Sequence, residues 1–560
     1  MPYSLNIRIA GAAGQGVQTA SDLVGRAAAR QGLHASCVND AESRIRGGLN
    51  FNQLRLSQVP AAGVSERIDV LLALNEQALR AYGPNTSQDG VVIGPSAAST
   101  AGLGLVSIAR KAGNEKAAST AAAACACALA GIEGKTLDEL IMERFGDRAD
   151  VNLEVARLVR QDVEKMDAAG RLSSPRPGTE DSGRLWLAGH QAIALGAVAG
   201  GASFYAGYPM SPSTGIMVNL ARWSRSAGLH VEQAEDEVAA ISMVAGASYA
   251  GARAMTATSG GGFCLMTEGV SLLGMIECGA VIVIAGRPGP ATGLPTRAAQ
   301  GDLLLALHAG HGAFPRVILA PRDIPDGIEL TARAFDIAER FQVPVLILTD
   351  QLLQDGRITS PMPALEGLPR RRHLSGHEKL EALDEYRRYR LTEDGISPQA
   401  APGVSRHVVV VDSDEHDQWG HITESAAVAA AMADKRRRKA ATVAAAGPLE
   451  PERPDGDPER MPLVASWGSS YHTLIEAREM MGGDVFAHLH LRQLWPLAGR
   501  GLEQLVKKTP KLVVVESAQE GGLEVLLRRV CLRRPEAFIG KDDGRPFSVE
   551  ELAHRLGEVL

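Results

Sequence analysis

The feature that most constrains the fold is a series of short, uninterrupted apolar segments in the middle of the chain, separated by stretches of helical character. They are ASFYAGY (202–208), GARAMTAT (251–258), AVIVIAG (280–286), RVILA (316–320) and VPVLILTD (343–350). Strands without polar alternation are typical of a parallel sheet that helices cover on both faces. The sequence therefore predicts an α/β fold with a buried parallel sheet over residues 185–365.

A chain of 560 residues has room for more than this one domain. Residues 1–180 contain strand candidates at 5–11, 50–57, 69–74 and 90–94 and an Ala-rich helical tail, and they end in a Pro- and Ser-rich linker (171–184). Residues 366–460 form a charged connector, in which runs such as KRRRK (435–439) indicate a mostly solvent-exposed face. Residues 461–560 are predicted to form a smaller α/β domain. We therefore expect three domains and a connector.

Composition and charge exclude several classes of protein. The 58 basic and 65 acidic residues give a net charge of −7, which argues against a general nucleic-acid binder. The six cysteines include no CxxC pair and no metal-ligand spacing, so we expect no metal site on this chain and a reducing, cytoplasmic environment. No signal-peptide pattern opens the sequence, and no uncharged apolar run is long enough to predict a membrane span.

A glycine-rich turn, Gly11-Ala-Ala-Gly14-Gln-Gly16, follows the first strand candidate and precedes a helix. Such a turn lets backbone N–H groups approach an anion at the helix N-terminus. The spacing is not the dinucleotide-binding GxGxxG, and the P-loop lysine is absent. The pattern fits either nucleotide binding or a tight structural turn. The stretch Arg44-Ile-Arg46-Gly47-Gly48 similarly fits either a phosphate or carboxylate grip or a solvated loop.

The loop GYPMSPST (207–214) comes directly after an apolar strand. Open α/β sheets bind their ligands at the carboxyl ends of strands, and the two prolines stiffen this loop. The hydroxyl group of Ser211 is available to donate a hydrogen bond to an anion. Ser213 and Thr214 also carry hydroxyls, but for these two residues a helix N-cap is the favoured interpretation.

An acidic segment opens a helix rich in small residues, EQAEDEVAAISMVAGASYAG (232–251). Acidic side chains favour a first helical turn, and this explains Asp236. Glu237 heads the small-residue run, where partial desolvation suits a carboxyl group that exchanges protons. The next strand ends in Ser259-Gly260-Gly261-Gly262, where three glycines bring bare backbone against a flat ligand.

The segment GRPGPATGLPTRAAQGD (286–302) begins where another buried strand ends. Arg287, at the strand end and followed by the hydroxyls of Thr292 and Thr296, is a suitable receptor for a carboxylate. The alternative is an arginine on a solvated loop.

These motifs, in this order, resemble the fused alpha subunits of the thiamine-diphosphate-dependent 2-oxoacid:ferredoxin oxidoreductases. GYPMSPST, AEDEVAAISMVAGASYAGARAMTATSGGG and GRPGPATGLPTRAAQGD resemble signatures of the family's pyrimidine-binding domain. AGAAGQGVQTA and the RGG at 46–48 resemble its gamma domain, and DEHDQWGHIT (414–423) resembles the same subunit. The resemblance implies a gamma domain (1–180), a pyrimidine-binding domain (185–365) and a transketolase C-terminal-like domain (461–560). Within the family, the 2-oxoglutarate enzyme is the member that we expect.

The resemblance also implies roles for individual residues. Glu237 would hydrogen-bond the aminopyrimidine ring of thiamine diphosphate, with Glu235 as its rival. The other implied cofactor contacts are Tyr208, Pro209, Ser259, Gly260 and Gly261. Ser211, which stands where relatives have threonine, would bind the substrate together with Arg287 and Thr296. Arg297, His308 and His311 are candidates for reading a distal carboxylate.

Two features of the family are missing from this sequence: a Gly-Asp-Gly…Asn segment for Mg²⁺ and diphosphate, and a four-cysteine cluster site. The resemblance places both on a separate beta subunit, which would carry Mg²⁺ and a [4Fe-4S] cluster in an α2β2 heterotetramer. The implied reaction is oxidative decarboxylation of 2-oxoglutarate with coenzyme A, with ferredoxin as electron acceptor. Pyruvate and branched-chain 2-oxoacids are alternative substrates. A non-catalytic nucleotide-binding regulatory protein is the alternative of another class.

Overall fold

The computed structural model describes residues 4–43, 47–95, 103–166, 175, 177–178, 182–449, 452–497 and 499–560. Arg44, Arg46 and most of the predicted linker at 171–184 lie outside the described residues.

Strands and helices alternate through most of the described chain. The N-terminal elements are β1 (Ser4–Ala13), α1 (Val17–Arg30), β2 (His34–Asp40), β3 (Gly47–Ser57), β4 (Val70–Ala73), α2 (Glu76–Tyr82), β5 (Val91–Ile93), α3 (Leu105–Lys111), α4 (Ala118–Leu129), α5 (Gly134–Phe145) and α6 (Ala149–Glu164). The central elements are β6 (Leu185–Ala188), α7 (Gly189–Ala199), β7 (Phe204–Gly207), α8 (Thr214–Ala227), β8 (His230–Gln233), α9 (Glu237–Tyr249), β9 (Ala254–Thr258), α10 (Gly260–Met275), β10 (Ala280–Gly286), α11 (Leu303–His308), β11 (Val317–Leu319), α12 (Ile324–Phe341), β12 (Pro344–Asp350), α13 (Gln351–Asp355) and β13 (Arg357–Ser360). The C-terminal elements are α14 (His377–Glu381), α15 (Ala426–Ala446), β14 (Leu463–Trp467), α16 (Tyr471–Met480), β15 (Ala487–Leu491), β16 (Gln493–Trp495), α17 (Gly499–Lys508), β17 (Leu512–Glu516), α18 (Gly522–Cys531), β18 (Ala537–Gly540) and α19 (Val549–Val559). Single 3-10 turns lie at Gly83–Asn85, Glu115–Ala117, Gly146–Arg148 and Gly468–Ser470.

The strands of the described residues form three sheets. The first has the order β5-β4-β1-β3-β2-β13-β6 and is mixed, with parallel pairs only among β1, β4 and β5. The second has the order β16-β11-β12-β10-β9-β7-β8 and is parallel except for the edge strand β16. The third, β15-β14-β17-β18, is parallel throughout. The predicted α/β class with a buried parallel sheet in the middle of the chain is confirmed.

Each of the five apolar segments of the middle region contains a strand of the second sheet, namely β7, β9, β10, β11 and β12. Every residue of β9, β10, β11 and β12 is buried, which explains why these segments lack polar alternation. The antiparallel strand β16, supplied by the C-terminal part of the chain, is not predicted from the sequence. The first sheet likewise contains β6 and β13, which lie before β7 and after β12 in sequence.

Glycines allow close packing of the helices that cover the second sheet. A Cβ on Gly196 of α7 would lie 2.5 Å from the carbonyl oxygen of Ile328 in α12, and one on Gly200 would lie 2.9 Å from Ala332 Cα. Since Cβ atoms do not approach other atoms so closely, the two helices can pack at this distance only because these positions lack side chains. The chain contains 60 glycines, and this packing accounts for two of them.

The expectation that the KRRRK run is solvent-exposed is wrong for two of its residues. Lys435 and Lys439 of α15 are buried, and both form ion pairs with the buried carboxylate of Glu277. Their spacing of four residues places both ammonium groups on the same face of the helix. Arg436, Arg437 and Arg438 instead pair with carboxylates at least one-fifth exposed. Over the described residues, no helix is both long and apolar enough to cross a membrane.

Candidate active site

The candidate site lies where neighbouring parallel strands of the second sheet end. β7 leads into the loop with Tyr208, Pro209 and Ser211, β8 is followed by Glu237, and β9 and β10 lead to Ser259 and Arg287 respectively. Because these strands run in the same direction, their carboxyl ends meet at one edge of the sheet.

Direct contacts show that three of these segments come together. The Nη1 of Arg287 donates a hydrogen bond to the carbonyl oxygen of Ser211 at 2.7 Å. The Oγ of Ser259 lies 2.6 Å from the Sδ of Met210, in the same loop as Ser211. Tyr208 and Ser211 are exposed beside them, and so is Gly261.

Glu237 is the first residue of α9, and its side chain is buried, with 3% exposure. Its Oε1 has no hydrogen-bond partner among the described residues. The preceding Asp236 caps the helix, because its Oδ1 accepts a hydrogen bond from the backbone N–H of Ala239 at 2.7 Å. Glu235, the rival candidate, is exposed. The three neighbouring acidic residues therefore differ in environment. Asp236 caps the helix, Glu235 is exposed, and Glu237 is buried with one unpartnered oxygen.

The glycine turn that starts α10 lies against Glu237. A Cβ on Gly262 would clash with Thr258 Oγ1 and would lie 2.6 Å from Glu237 Oε1. On Gly260, a Cβ would collide with the carboxyl group of Asp302, while on Gly261 its nearest neighbour would be Ala291 O at 3.5 Å. Gly260 and Gly262 are therefore required by internal packing, whereas Gly261 presents bare backbone outward.

The side chain of Arg287 is half-buried, and only part of its hydrogen-bonding capacity is used within the described residues. Its Nε is buried without a hydrogen-bond partner in the described part of the chain. Burial lowers the pKa of Arg287, and the nearby Asp302 acts in the opposite direction. The guanidinium group therefore keeps unused donor capacity beside Ser211, as a carboxylate-binding group requires.

Sequence reasoning missed Asp302, the last residue of the loop that begins at Gly286. Its Oδ2 is buried and, among the described residues, has no hydrogen-bond partner. Burial raises the pKa of Asp302 to about 6, although Arg287 opposes this rise. The available signal was its position as the only acidic residue in the segment 286–302.

The distal half of the same loop contacts the first sheet rather than Arg287. Thr296 Oγ1 donates a hydrogen bond to the carbonyl oxygen of Ala41 at 2.6 Å. Arg297 forms a largely buried ion pair with Asp40 at 2.5 Å, and Asp40 also pairs with Arg545 at 2.6 Å. Arg297 is therefore already engaged by a carboxylate of the protein itself.

The two remaining candidates for a distal carboxylate, His308 and His311, are exposed. His308 ends α11, and the carbonyl oxygen of His311 accepts a hydrogen bond from Ser271 Oγ at 2.9 Å.

The glycine-rich turn of the first domain is a tight connection between β1 and α1. Gly14 and Gly16 both have positive φ, and a Cβ on Gly16 would lie 2.6 Å from Ser119 Cβ. The turn conformation and the packing against α4 therefore account for Gly16, while Gly14 faces open space.

Three buried polar atoms at the edge of the second sheet have no partner among the described residues: Glu237 Oε1, Arg287 Nε and Asp302 Oδ2. Buried polar atoms are normally hydrogen-bonded, so a cluster of unpartnered ones indicates a place where a ligand completes the bonding. An exposed glycine backbone lies next to them. This set of groups fits a flat, nitrogen-bearing ring with an anionic substrate beside it.

Comparison with known proteins identifies the family of the chain. A family model described as "Pyruvate flavodoxin/ferredoxin oxidoreductase, thiamine diP-bdg" matches residues 195–435, and one described as "Pyruvate ferredoxin/flavodoxin oxidoreductase" matches residues 6–161. The alpha subunit of 2-oxoacid:ferredoxin oxidoreductase 2 from Aeropyrum pernix is 32% identical over 77% of this chain and 70% of its own length. The chain belongs to the 2-oxoacid:ferredoxin oxidoreductase alpha-subunit family.

Other members of the family match over the full length. The 2-oxoacid:ferredoxin oxidoreductase alpha subunit of a Sulfolobus species is 28% identical over 99% of this chain and 96% of its own length. The solved structure of 2-oxoglutarate:ferredoxin oxidoreductase from Magnetococcus marinus, with 2-oxoglutarate, coenzyme A and succinyl-CoA bound, has a TM-score of 0.90 and 28% identity, with complete coverage of both chains. The residues to which the resemblance assigns cofactor or substrate contacts all lie in the region matched by the thiamine-diphosphate-binding family model.

Proposed function

We propose that this chain is the alpha subunit of a thiamine-diphosphate-dependent 2-oxoglutarate:ferredoxin oxidoreductase. The enzyme would convert 2-oxoglutarate and coenzyme A to succinyl-CoA and CO₂ and pass the released electron pair to ferredoxin. The observation that carries the proposal is Glu237, a buried carboxyl group with an unpartnered oxygen beside the glycine turn of α10. Family membership and the bound ligands of the Magnetococcus marinus relative support the choice of reaction.

In this proposal, Glu237 holds the aminopyrimidine ring of thiamine diphosphate through a hydrogen bond from its carboxyl group to a ring nitrogen. Ser259, Gly260 and Gly261 line one face of the ring, and Tyr208 and Pro209 close the site from the loop after β7. When bound, thiamine diphosphate supplies the carbanion for the reaction. The protein orients it and controls the proton at Glu237.

Arg287 and Ser211 bind the 2-oxoacid. The guanidinium group pairs with the substrate carboxylate, and the Ser211 hydroxyl donates a hydrogen bond to the same end of the molecule. We propose that Thr296 acts through the position of the loop, because its hydroxyl proton is donated to Ala41 O. Pyruvate and branched-chain 2-oxoacids are the alternative substrates. Arg297 was a candidate for binding the distal carboxylate of 2-oxoglutarate, which these substrates lack, but it is already paired with Asp40.

A partner chain is expected to cover the site. Large apolar side chains lie exposed on the helices around it, including Val218 of α8 at 47%, Val238 and Met243 of α9 at 49% and 40%, and Leu265 of α10 at 54%. A group of exposed apolar residues is typical of an interface. We propose that a beta subunit binds here, supplies Mg²⁺ and a [4Fe-4S] cluster, and completes an α2β2 heterotetramer.

The test is to purify the chain with its beta subunit and to measure reduction of ferredoxin, with coenzyme A and thiamine diphosphate, on 2-oxoglutarate, pyruvate and 2-oxoisovalerate. We expect the highest kcat/KM with 2-oxoglutarate and no activity without thiamine diphosphate. A preference for another 2-oxoacid would correct the substrate. A complex with no activity on any of the three would refute the proposed function.

A further inference from the structure

Asp302 is a half-buried residue of the site whose Oδ2 is inaccessible to solvent, and the proposed function gives it no role. Its carboxyl group lies between the first turn of α10 and the end of β10. A Cβ on Gly260 would lie 2.7 Å from its Oδ2, and a Cβ on Gly286 would lie 3.5 Å from the same oxygen. Gly286 directly precedes Arg287, so Asp302 lies next to the proposed substrate-binding arginine.

A structural role as a helix cap does not explain this residue. Asp302 precedes α11, but its side chain accepts no capping hydrogen bond from that helix. None of the described hydrogen bonds reaches either of its carboxyl oxygens, and Oδ2 is buried without a partner among the described residues. A buried carboxylate without donors is unfavourable, and a protonated carboxyl group in the same place costs less.

The charged and titratable groups on the surrounding elements leave Arg287 as the main influence on Asp302. Glu237 is at the start of α9, and Glu516 is at the end of β17, where it accepts hydrogen bonds from Trp467 Nε1 and the backbone N–H of Leu523. Arg297, farther along the same loop, is paired with Asp40. Among the described residues, Arg287 is the cation that favours ionised Asp302, and an anionic substrate that pairs with Arg287 would neutralise that charge.

We propose that Asp302 binds the 2-oxoacid in its protonated form, donating a hydrogen bond to the substrate that Arg287 holds, so that substrate and proton are taken up together. This inference rests on the proposed function. Two anions next to a single guanidinium group would repel each other, and protonation of Asp302 removes that repulsion. The raised pKa of Asp302, about 6, is consistent with this arrangement.

The experiment is calorimetric titration of 2-oxoglutarate into the purified complex with its beta subunit, free of thiamine diphosphate so that no turnover occurs. Titrations at pH 7.5 in buffers of different ionisation enthalpy give the number of protons taken up. We expect nearly one proton per substrate for the wild type and none for Asp302→Asn, which keeps a donor but cannot ionise. Wild-type affinity should fall about tenfold for each pH unit above 7, whereas Asp302→Asn should vary less than about twofold.

Two further variants make the result specific. Asp302→Ser keeps a hydroxyl donor and should also bind without proton uptake. The matched control is Glu516→Gln, which removes another buried carboxyl group of raised pKa and should keep wild-type uptake. Equal uptake by wild type and Asp302→Asn would overturn this inference alone. A wild-type complex that binds none of the three 2-oxoacids would overturn the proposed function and this inference with it.

Discussion

The Nζ of Lys435 lies 2.6 Å from both carboxylate oxygens of Glu277. Lys439 binds the same carboxylate, and Arg388 Nη2 donates a hydrogen bond to the carbonyl oxygen of Glu277 at 2.6 Å. Burial alone would raise the pKa of Glu277, but the charges of Lys439, Lys435 and Arg388 outweigh it and lower the pKa. Burial lowers the pKa of Lys435 to about 7. The buried carboxylate of Glu277 is thus surrounded by three buried cationic side chains.

The first prediction follows from this imbalance. Glu277→Gln should lower the free energy of unfolding by about 3–5 kcal/mol, because it leaves buried cations without a counter-charge. Lys435→Met should cost clearly less, since Lys439 still pairs with Glu277. Chemical denaturation of both variants measures the difference. An equal or larger loss for Lys435→Met would contradict the surplus of positive charge.

The second prediction concerns pH and Glu516, which is buried at the end of β17. Burial raises the pKa of Glu516 to about 7 from an ordinary value of 4.5. The folded protein therefore holds this proton more tightly than the unfolded chain, and the resulting stabilisation is lost as pH rises from about 4.5 through 7. Its maximum is roughly 3 kcal/mol.

Glu516→Gln should therefore make thermal stability less dependent on pH between pH 5 and 8 than in the wild type. Scanning calorimetry at several pH values measures this, with the exposed Glu520→Gln as the matched control. If both variants keep the wild-type pH dependence, Glu516 does not titrate in this range.

The third prediction tests Glu237. Glu237→Gln should reduce kcat of the complex by about 10²–10⁴-fold, the usual contribution of a group that controls a proton. Glu235→Gln, which changes an exposed neighbour, should stay within about twofold of the wild type. Steady-state reduction of ferredoxin measures both. Comparable losses of kcat in the two variants would argue against Glu237 as the carboxyl group that binds the cofactor ring.

The fourth prediction uses the packing of the glycine turn. Gly262→Ala places a methyl group against Thr258 Oγ1 and Glu237 Oε1, so it should displace the Glu237 carboxyl group and weaken thiamine diphosphate binding at least tenfold. Gly557→Ala is the control, because a Cβ at this glycine of α19 meets nothing within 4 Å. Calorimetric titration of the cofactor distinguishes the two. Unchanged cofactor affinity in Gly262→Ala would show that the glycine turn does not contribute to cofactor binding.

The fifth prediction tests the apolar surface around the site. Leu265→Asp should prevent co-purification with the beta subunit, because a charge at a buried interface loses its hydration. Met142→Asp, at an equally exposed apolar residue on α5, should leave assembly intact. Size-exclusion chromatography of the co-expressed chains gives the answer. Normal assembly of Leu265→Asp would mean that the partner does not cover α10.

The second sheet was predictable because its strands carry their own signal. β9, β10 and β12 are buried on both faces, so their sequences read as continuous apolar runs. β2 was not predicted, because it holds its place through pairing with β3 and with the distant β13, and no local pattern encodes that contact.

In the candidate site, too, residues with a local sequence signal were predictable and residues that depend on distant contacts were not. The loops with Ser211 and Arg287 lie at strand ends, as predicted, since each follows an apolar segment directly. Glu237 was predicted at the start of a helix, but the exposed strand β8 before it has no apolar run and was not predicted. Asp302 was missed because its importance depends on burial against Gly260, about forty residues away in sequence. The burial of Lys435 depends similarly on Glu277, 158 residues away, although the i,i+4 spacing of Lys435 and Lys439 was visible.

The anchoring of Thr296 and Arg297 to Ala41 and Asp40 has a consequence for ligand binding. Farther along the loop, the backbone N–H of Gln300 donates a hydrogen bond to Ser517 O at 2.7 Å, so all three sheets hold this one segment. A receptor loop that is already ordered loses little conformational entropy when its ligand arrives.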